Sequence, residues 1–270
     1  MILFPNAKIN VGLDILRKRP DGYHDIATVM VPTAWRDILE LVPARGNEST
    51  LTVTGRGVDC PTDKNLVMKA YRLMERELGI PPTDIFLHKV IPDGAGLGGG
   101  SADAAFTLTG LNSLYELGLT TDQLTDMASR LGADCPFFIH NRPMLCTGTG
   151  TEMRDMNLDL SGYELAIVKP GRGVSTAEAY AGVTPHEPQV TLEERLTLPV
   201  DQWSQNIVND FEASVGAKVP EIMAIKRGLL EMGACYAAMS GSGSAVYGLF
   251  AGDILADSLQ TRFTECDIFF

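Results

Sequence analysis

The stretch IPDGAGLGGGSADAAFTLTGL, residues 91–111, places five glycines in the seven positions 94–100 and then turns alanine-rich. Each glycine gives up more conformational freedom on folding than any other residue, so such a cluster needs a local reason. Positive φ angles, or a ligand pressed against bare backbone, supply one. Beyond the cluster, Ala104, Ala105, Leu108, Leu111 and Tyr115 recur at helical spacing as far as Gly118, with Ser101 as the expected cap. A glycine-rich loop feeding a helix N-terminus offers free N–H groups and the positive end of the helix dipole to an anion. Phosphate suits such a loop best. The plainer alternative is a tight strand-to-helix turn with no ligand.

Two well-known phosphate patterns fail here. The P-loop requires G-x-x-x-x-G-K-[ST], and no lysine follows a glycine in this stretch. Gly94, Gly96 and Gly99 do match the dinucleotide pattern G-x-G-x-x-G. That pattern also needs a buried parallel strand before it and an acidic residue ending the next strand. Instead DIFLHKV (84–90), with His88 and Lys89, reads as a half-exposed antiparallel strand. The helix after the loop leads into a second helical pattern, TTDQLTDMASRL, with Leu124, Met127, Ala128 and Leu131 on one face. A dinucleotide fold is excluded.

With 270 residues, 45% hydrophobic and 21% charged, the chain can build one large domain or two modest ones. Its net charge of −12 argues against nucleic acid or an anionic membrane as a partner. An anionic substrate must then be captured by local basic groups and backbone N–H donors. The cysteines, Cys60, Cys135, Cys146, Cys235 and Cys266, are odd in number and lack metal-type spacing, which fits a reducing compartment, the cytoplasm. The apolar run Met1–Phe4 is too short for a signal-peptide core, and no run approaches transmembrane length.

The coarse pattern mixes strands and helices. AKINVGLDIL, DILELVPA and STLTVTG read as strands, and KNLVMKAYRLMERELG (64–79) as an amphipathic helix ending at Gly79. After a break near 150–160, YELAIVKPG (163–171) is a strand that restarts the pattern. Helices are expected at 176–182, around 203–215 and over PEIMAIKRGLLEMG, with Pro220 in a first turn. CYAAMSGSGSAVYGLF (235–250) reads as a hairpin around a Ser/Gly turn, and the end, TECDIFF, carries no readable signal.

Four further places bear chemistry. Lys8 interrupts a strand-like segment, where a lysine usually faces solvent. Asp134 sits in GADCPFF, a turn in which an Asp usually caps its own backbone. RPDGYHD (19–25) has the look of a hairpin tip, and MSGSGSA (239–245) of a flexible turn. Together with the glycine loop they form a parts list for phosphoryl transfer, which asks a protein mainly for positioning and charge compensation.

PDGAGLGGGSADAA resembles the phosphate-binding motif of the GHMP kinases, and MSGSGSAVYGLF their C-terminal motif. AKINVGLDILRKRPDGYHDIATVM, GADCPFFI and NDFE (209–212) narrow the resemblance to the family of 4-diphosphocytidyl-2-C-methyl-D-erythritol kinases, which act in the non-mevalonate route to isoprenoid precursors. The segment R-x-D-G-Y-H is the discriminating one. The resemblance implies an α+β, two-lobed fold: an ATP-binding lobe like ribosomal protein S5 domain 2 over residues 1–155, and a ferredoxin-like lobe over 156–270.

It also implies roles. Pro92, Asp93, Gly94, Ala95, Gly96, Leu97, Gly98, Gly99, Gly100, Ser101 and Ala102 would wrap the ATP phosphates, although the family often has a serine where Ala102 stands. Asp134 would be the base and Lys8 its partner. Asn10, two residues on and so on the same strand face, would orient the acceptor hydroxyl or Asp134. Tyr23 and Tyr180 would cover the faces of the substrate's cytosine, with His24 at its edge and Thr176 one helical turn before Tyr180. Lys64 and Asn65 are candidates for the adenine side. Mg²⁺ would accompany ATP through phosphate oxygens and water, with no protein ligand named. The acceptor would be a small molecule, the cytidylyl-linked methylerythritol, and the chain a monomer or homodimer. A kinase of homoserine or a mevalonate-type alcohol would keep the loops and Asp134 without needing DGYH. A non-catalytic nucleotide-binding relative would lack Lys8 or Asp134, and both are present.

Overall fold

The computed structural model describes residues 1–58, 60–254 and 256–270. In chain order its strands are β1 (Ile2–Leu3), β2 (Asn6–Lys18), β3 (His24–Arg36), β4 (Ile38–Pro43), β5 (Thr50–Gly55), β6 (Thr83–Lys89), β7 (Met144–Thr147), β8 (Glu152–Asp155), β9 (Glu164–Pro170), β10 (Tyr236–Met239), β11 (Val246–Phe250) and β12 (Cys266–Phe269). Its α-helices are α1 (Leu66–Leu78), α2 (Gly99–Leu114), α3 (Thr121–Ser129), α4 (Cys135–His140), α5 (Thr176–Tyr180), α6 (Leu192–Arg195), α7 (Trp203–Asn206), α8 (Phe211–Lys218), α9 (Pro220–Glu231) and α10 (Ala256–Arg262). The chain divides into two compact units. One comprises Met1–Lys8, Pro32–Asp93 and Gly98–Arg142, the other Ile9–Val31, Gly94–Leu97 and Pro143–Phe270.

The first unit is built on a sheet of order β1-β4-β6-β5. β6 runs antiparallel to β4 and, beyond what the sequence suggests, parallel to β5, so it is an interior strand of the sheet with one face exposed. Its alternation buries Thr83, Ile85, Leu87 and Lys89 and turns Phe86 and His88 outward. α1 lays Val67, Met68, Ala70, Tyr71, Leu73 and Met74 against that sheet and against Ala104, Leu108 and Leu111 of α2. Burial of each large apolar side chain contributes about 1.5–3 kcal/mol. Asn65 caps α1 by accepting from the Val67 amide at 2.9 Å, and Gly79 ends it at φ +65°.

The second unit centres on an antiparallel sheet of order β10-β11-β9-β12. Phe211 and Val215 of α8 and Ile222, Ile225 and Leu229 of α9 bury against Val168, Met239 and Val246. The Ile9–Val31 hairpin, with β7 and β8 extending the β3 side, belongs here as well. Its tip is a tight turn: Gly22 donates to the Arg19 carbonyl at 3.1 Å with φ +89°, and Tyr23 donates to Asp21 Oδ1 at 3.0 Å.

Two sequence expectations fail, and one stretch without a readable signal turns out to be a strand. Ser101 is not a cap: α2 already begins at Gly99, with Gly98 as N-cap. The helix expected over 203–215 is two helices, because Ile207 is extended and Asn209 bridges Leu13 on β2. The tail TECDIFF forms β12, which pairs with β9. A four-residue edge strand is too short to stand out from its flanking residues.

Candidate active site

In the first unit, Asp134 sits at the head of α4, with Pro136 in the first turn. Its carboxylate makes no capping bond, so the usual use of an Asp in such a turn does not apply. Lys8 Nζ lies 3.5 Å from Asp134 Oδ2, with the lysine side chain 4% exposed and the aspartate 34% exposed. Lys8 is therefore not the solvent-facing strand lysine that pattern favours. The pair thus sets a buried ammonium beside a carboxylate that solvent can reach.

The end of the glycine loop packs on this pair. A Cβ added to Gly98, whose φ is +72°, would stand 2.9 Å from Phe138 Cζ and 3.2 Å from Lys8 Cε. Gly99 and Gly100 open α2, whose first amides have no acceptor within the helix. The two glycines face differently. A Cβ on Gly99 would meet Ile91 Cγ2 at 3.0 Å and Lys89 Nζ at 3.3 Å, whereas one on Gly100 would meet nothing within 4 Å. Ser101, in the first turn of α2, is half-buried, and burial pushes the nearby Cys135 thiol up to about 11.

Beneath the loop lies a charged cluster that sequence reasoning missed. Lys89 Nζ donates to Asp37 Oδ2 at 2.5 Å and to Asp103 Oδ2 at 2.7 Å, and all three residues are buried. Asp37 Oδ1 accepts from the amides of Val90 and Ile91 at 2.5 and 2.9 Å, fixing the chain just before the glycines. Burial raises the Asp103 carboxyl to about 7 against the pull of the Lys89 ammonium. Among the described residues Asp103 Oδ1 has no hydrogen-bond partner, and Asp103 lines a cavity of about 130 Å³ together with Lys64, Asn65 and Leu66. The signal available in sequence was a lysine and an aspartate bracketing the loop.

In the second unit, Gly94–Leu97 is held by the other Ser/Gly loop. Ser240 Oγ donates to the Gly96 carbonyl at 2.9 Å, and the Ala245 amide donates to the Ala95 carbonyl at 3.1 Å. Asn209 Nδ2 donates to the carbonyls of Met239 and Gly241, each at 2.8 Å, and Glu212 Oε1 accepts from the Met239 amide at 2.8 Å. NDFE thus anchors residues 239–241. Among the described residues Ser244 Oγ is buried with no hydrogen-bond partner. Asn10 is buried on β2, donating through Nδ2 to Thr28 Oγ1 at 3.0 Å and through its amide to Ser240 Oγ at 3.2 Å.

A cavity of about 600 Å³ in the same unit is lined by Tyr23, His24, Thr176 and Tyr180, together with Lys18 and Thr149, which sequence reasoning missed. The rings of His24 and Tyr180 stack at 4.7 Å and 21°. Tyr180 also meets Phe211 edge-on at 4.8 Å, while Tyr23 stands at the mouth, 67% exposed. Thr176 Oγ1 lies 3.2 Å from Ser242 Oγ, one turn before Tyr180 on α5. Among the described residues no group of three or more His, Cys, Asp or Glu is placed to hold a metal ion. Among the described residues no helix is long and apolar enough to cross a membrane.

Residues 65–142 match the family described as GHMP kinases N terminal domain, and residues 199–266 match GHMP kinases C terminal. A 4-diphosphocytidyl-2-C-methyl-D-erythritol kinase of Parabacteroides distasonis is 52% identical, over 98% of this chain and 97% of its own length. One from Bacteroides thetaiotaomicron is 48% identical over 93% and 92%. A crystal structure of a 4-(cytidine 5'-diphospho)-2C-methyl-D-erythritol kinase superposes with a TM-score of 0.85 at 31% identity, covering 100% of this chain and 97% of that one. The α+β architecture is thus the two-lobed GHMP kinase fold, and the chain is an ATP-dependent kinase. It belongs to the 4-diphosphocytidyl-2-C-methyl-D-erythritol kinase family of the GHMP kinases.

Proposed function

We propose that this chain transfers the γ-phosphoryl of ATP to the tertiary 2-hydroxyl of 4-diphosphocytidyl-2-C-methyl-D-erythritol. The observation that carries the reading is the Lys8–Asp134 pair, in which a reachable carboxylate, uncommitted to capping, is fixed beside a buried ammonium. An alcohol is a weak nucleophile, and Asp134 accepts its proton as the new P–O bond forms. Lys8, beside Asp134, offsets charge on the transferring phosphoryl group.

Residues 92–102 hold the triphosphate through backbone amides, with the first turn of α2 as the anion-binding end. The open face at Gly100 fits that use. Mg²⁺ would accompany the nucleotide and would supply charge neutralisation at its phosphates. The cytidine enters the cavity of Tyr23, His24, Thr176 and Tyr180, and its binding energy serves positioning, because the base takes no part in the reaction. Asn10 orients the acceptor hydroxyl. Residues 1–155 make up the ATP-binding part and 156–270 the second part of a cytoplasmic enzyme.

ADP release, measured with 4-diphosphocytidyl-methylerythritol, homoserine and mevalonate offered separately, tests the reading. Turnover on the first alone is expected; equal turnover on free methylerythritol and its cytidylyl form refutes the substrate. Asp134→Asn is expected to lower kcat by about 10²–10⁴-fold with ATP binding kept. Retention of more than about a tenth of the turnover refutes the base.

A further inference from the structure

Three consecutive cations end the first arm of the hairpin, Arg17, Lys18 and Arg19, and the strand period of two separates them. Arg17 and Arg19 fall on one face and both reach Asp25: Arg17 through Nε to Oδ2, Arg19 through Nη1 to Oδ1 at 2.9 Å. Arg19 Nε also reaches Asp21 at 3.3 Å. Their charges are compensated within the hairpin, and the two guanidiniums hold the Asp25 carboxyl below its ordinary value.

Lys18 falls on the opposite face, as does His24 across the turn. It lines the 600 Å³ cavity with Tyr23, His24, Thr176 and Tyr180. Of the residues lining that cavity it alone bears a permanent charge. Among the described residues its ammonium has neither an ion-pair nor a hydrogen-bond partner. An unspent cation facing an aromatic cavity, in a chain of net charge −12, calls for an anion attached to something flat. A nucleoside diphosphate is such a ligand.

We propose that Lys18 binds the diphosphate of the acceptor substrate and so selects a cytidine diphosphate ester over an uncharged nucleoside. This rests on the reading of the cavity as the cytidine site. A lysine acts on phosphate as a point charge with three donors and imposes no bidentate geometry. Arginine at 18 therefore substitutes for it, and glutamine does not.

The test is the competition of cytidine and cytidine diphosphate against the cytidylyl substrate, with the wild type, Lys18→Gln, Lys18→Arg and Tyr180→Ala. Lys18→Gln should weaken cytidine diphosphate by about 10-fold, the low end for a hydrogen bond to a charged group, because Lys18 is exposed. Cytidine should change by less than about twofold, and Lys18→Arg should recover most of the loss. The KM for the cytidylyl substrate should rise while kcat and the KM for ATP hold, and the effect should shrink at high salt. Unchanged cytidine diphosphate affinity in Lys18→Gln overturns the proposal, and so does an equal loss on cytidine, which would mark a base-edge contact or a damaged hairpin. Should Tyr180→Ala leave both ligands untouched, the cavity is not the cytidine site. That failure is separate from one confined to Lys18.

Discussion

Gly96 is the glycine whose replacement should cost the fold most visibly. Its φ is +75°, and an added Cβ would lie 2.0 Å from the Ser240 carbonyl oxygen and 3.2 Å from the Gly243 nitrogen. Ordinary contact begins at 3.4 Å, so one backbone segment must retreat by more than an ångström. A left-handed alanine costs about 1–2 kcal/mol by itself. The retreat also strains the Ser240 Oγ to Gly96 carbonyl bond and the Ala245 amide to Ala95 carbonyl bond, each worth about 1 kcal/mol net. Gly96→Ala should therefore lose about 3–4 kcal/mol, a large share of the 5–15 kcal/mol typical of a domain. Gly94 is the internal control. It has φ +62° with nothing within 4 Å of an added Cβ, so Gly94→Ala should lose only the roughly 1–2 kcal/mol of the backbone term. Urea unfolding of both variants and the wild type, followed by circular dichroism, measures the difference. If the two variants lose equal stability within about 0.5 kcal/mol, the close approach of the two loops does not constrain the protein, and the reasoning fails.

Lys8→Met should lower kcat far more than it raises the acceptor KM, since its charge is wanted as the phosphoryl group transfers; a pure KM effect in steady-state assays refutes this. Gly100→Val should abolish nucleotide binding in a folded protein. The same change at Gly99, where a side chain would strike Ile91 and Lys89, should first destabilise the fold, and calorimetry paired with thermal melting separates the two. Tyr23→Ala and Tyr180→Ala should each lower kcat/KM for the cytidylyl substrate by about 1–3 kcal/mol with the ATP KM held, the usual scale for one stacked base. Asp103, raised by burial to about 7 from 3.8, keeps its proton in the native state across a window where the unfolded chain has released it. Wild-type stability should therefore fall as pH rises from about 4 to about 7 and level off above. Asp103→Asn should flatten that slope in urea titrations run across this range, and an unchanged slope would show that the buried cluster does not titrate as argued.

Elements with a strong period were legible in the sequence. α1 shows its apolar face and its terminal Gly79, and the β10–β11 hairpin shows two apolar runs about a Ser/Gly turn. What failed was decided by partners distant in sequence. No local pattern near 203–215 announces that Asn209 will bridge Leu13 and break the helix. β12 is a strand because β9 offers it an edge. Lys89 reads as a polar residue of a half-exposed strand, because its burial depends on Asp37 and Asp103, 52 positions before it and 14 after. Buried charge is tolerated only when paired, and pairing of that kind leaves no local signature.

The candidate site divides along the same line. Chemistry that needs backbone alone, the glycine run, announces itself; chemistry that needs a carboxylate and an ammonium to meet does not. Lys8 and Asp134 are 126 positions apart and become a pair only on folding to 3.5 Å. The glycine run itself serves two separate ends. Gly94 and Gly96 take positive φ, and Gly96 admits the Ser240 carbonyl where any Cβ would stand. Gly98 takes positive φ against Lys8 and Phe138, and Gly100 leaves the first turn of α2 open. One glycine cluster thus satisfies a packing constraint at its start and leaves a helix N-terminus open at its end. That is why five glycines stand where a simple strand-to-helix turn requires one or two.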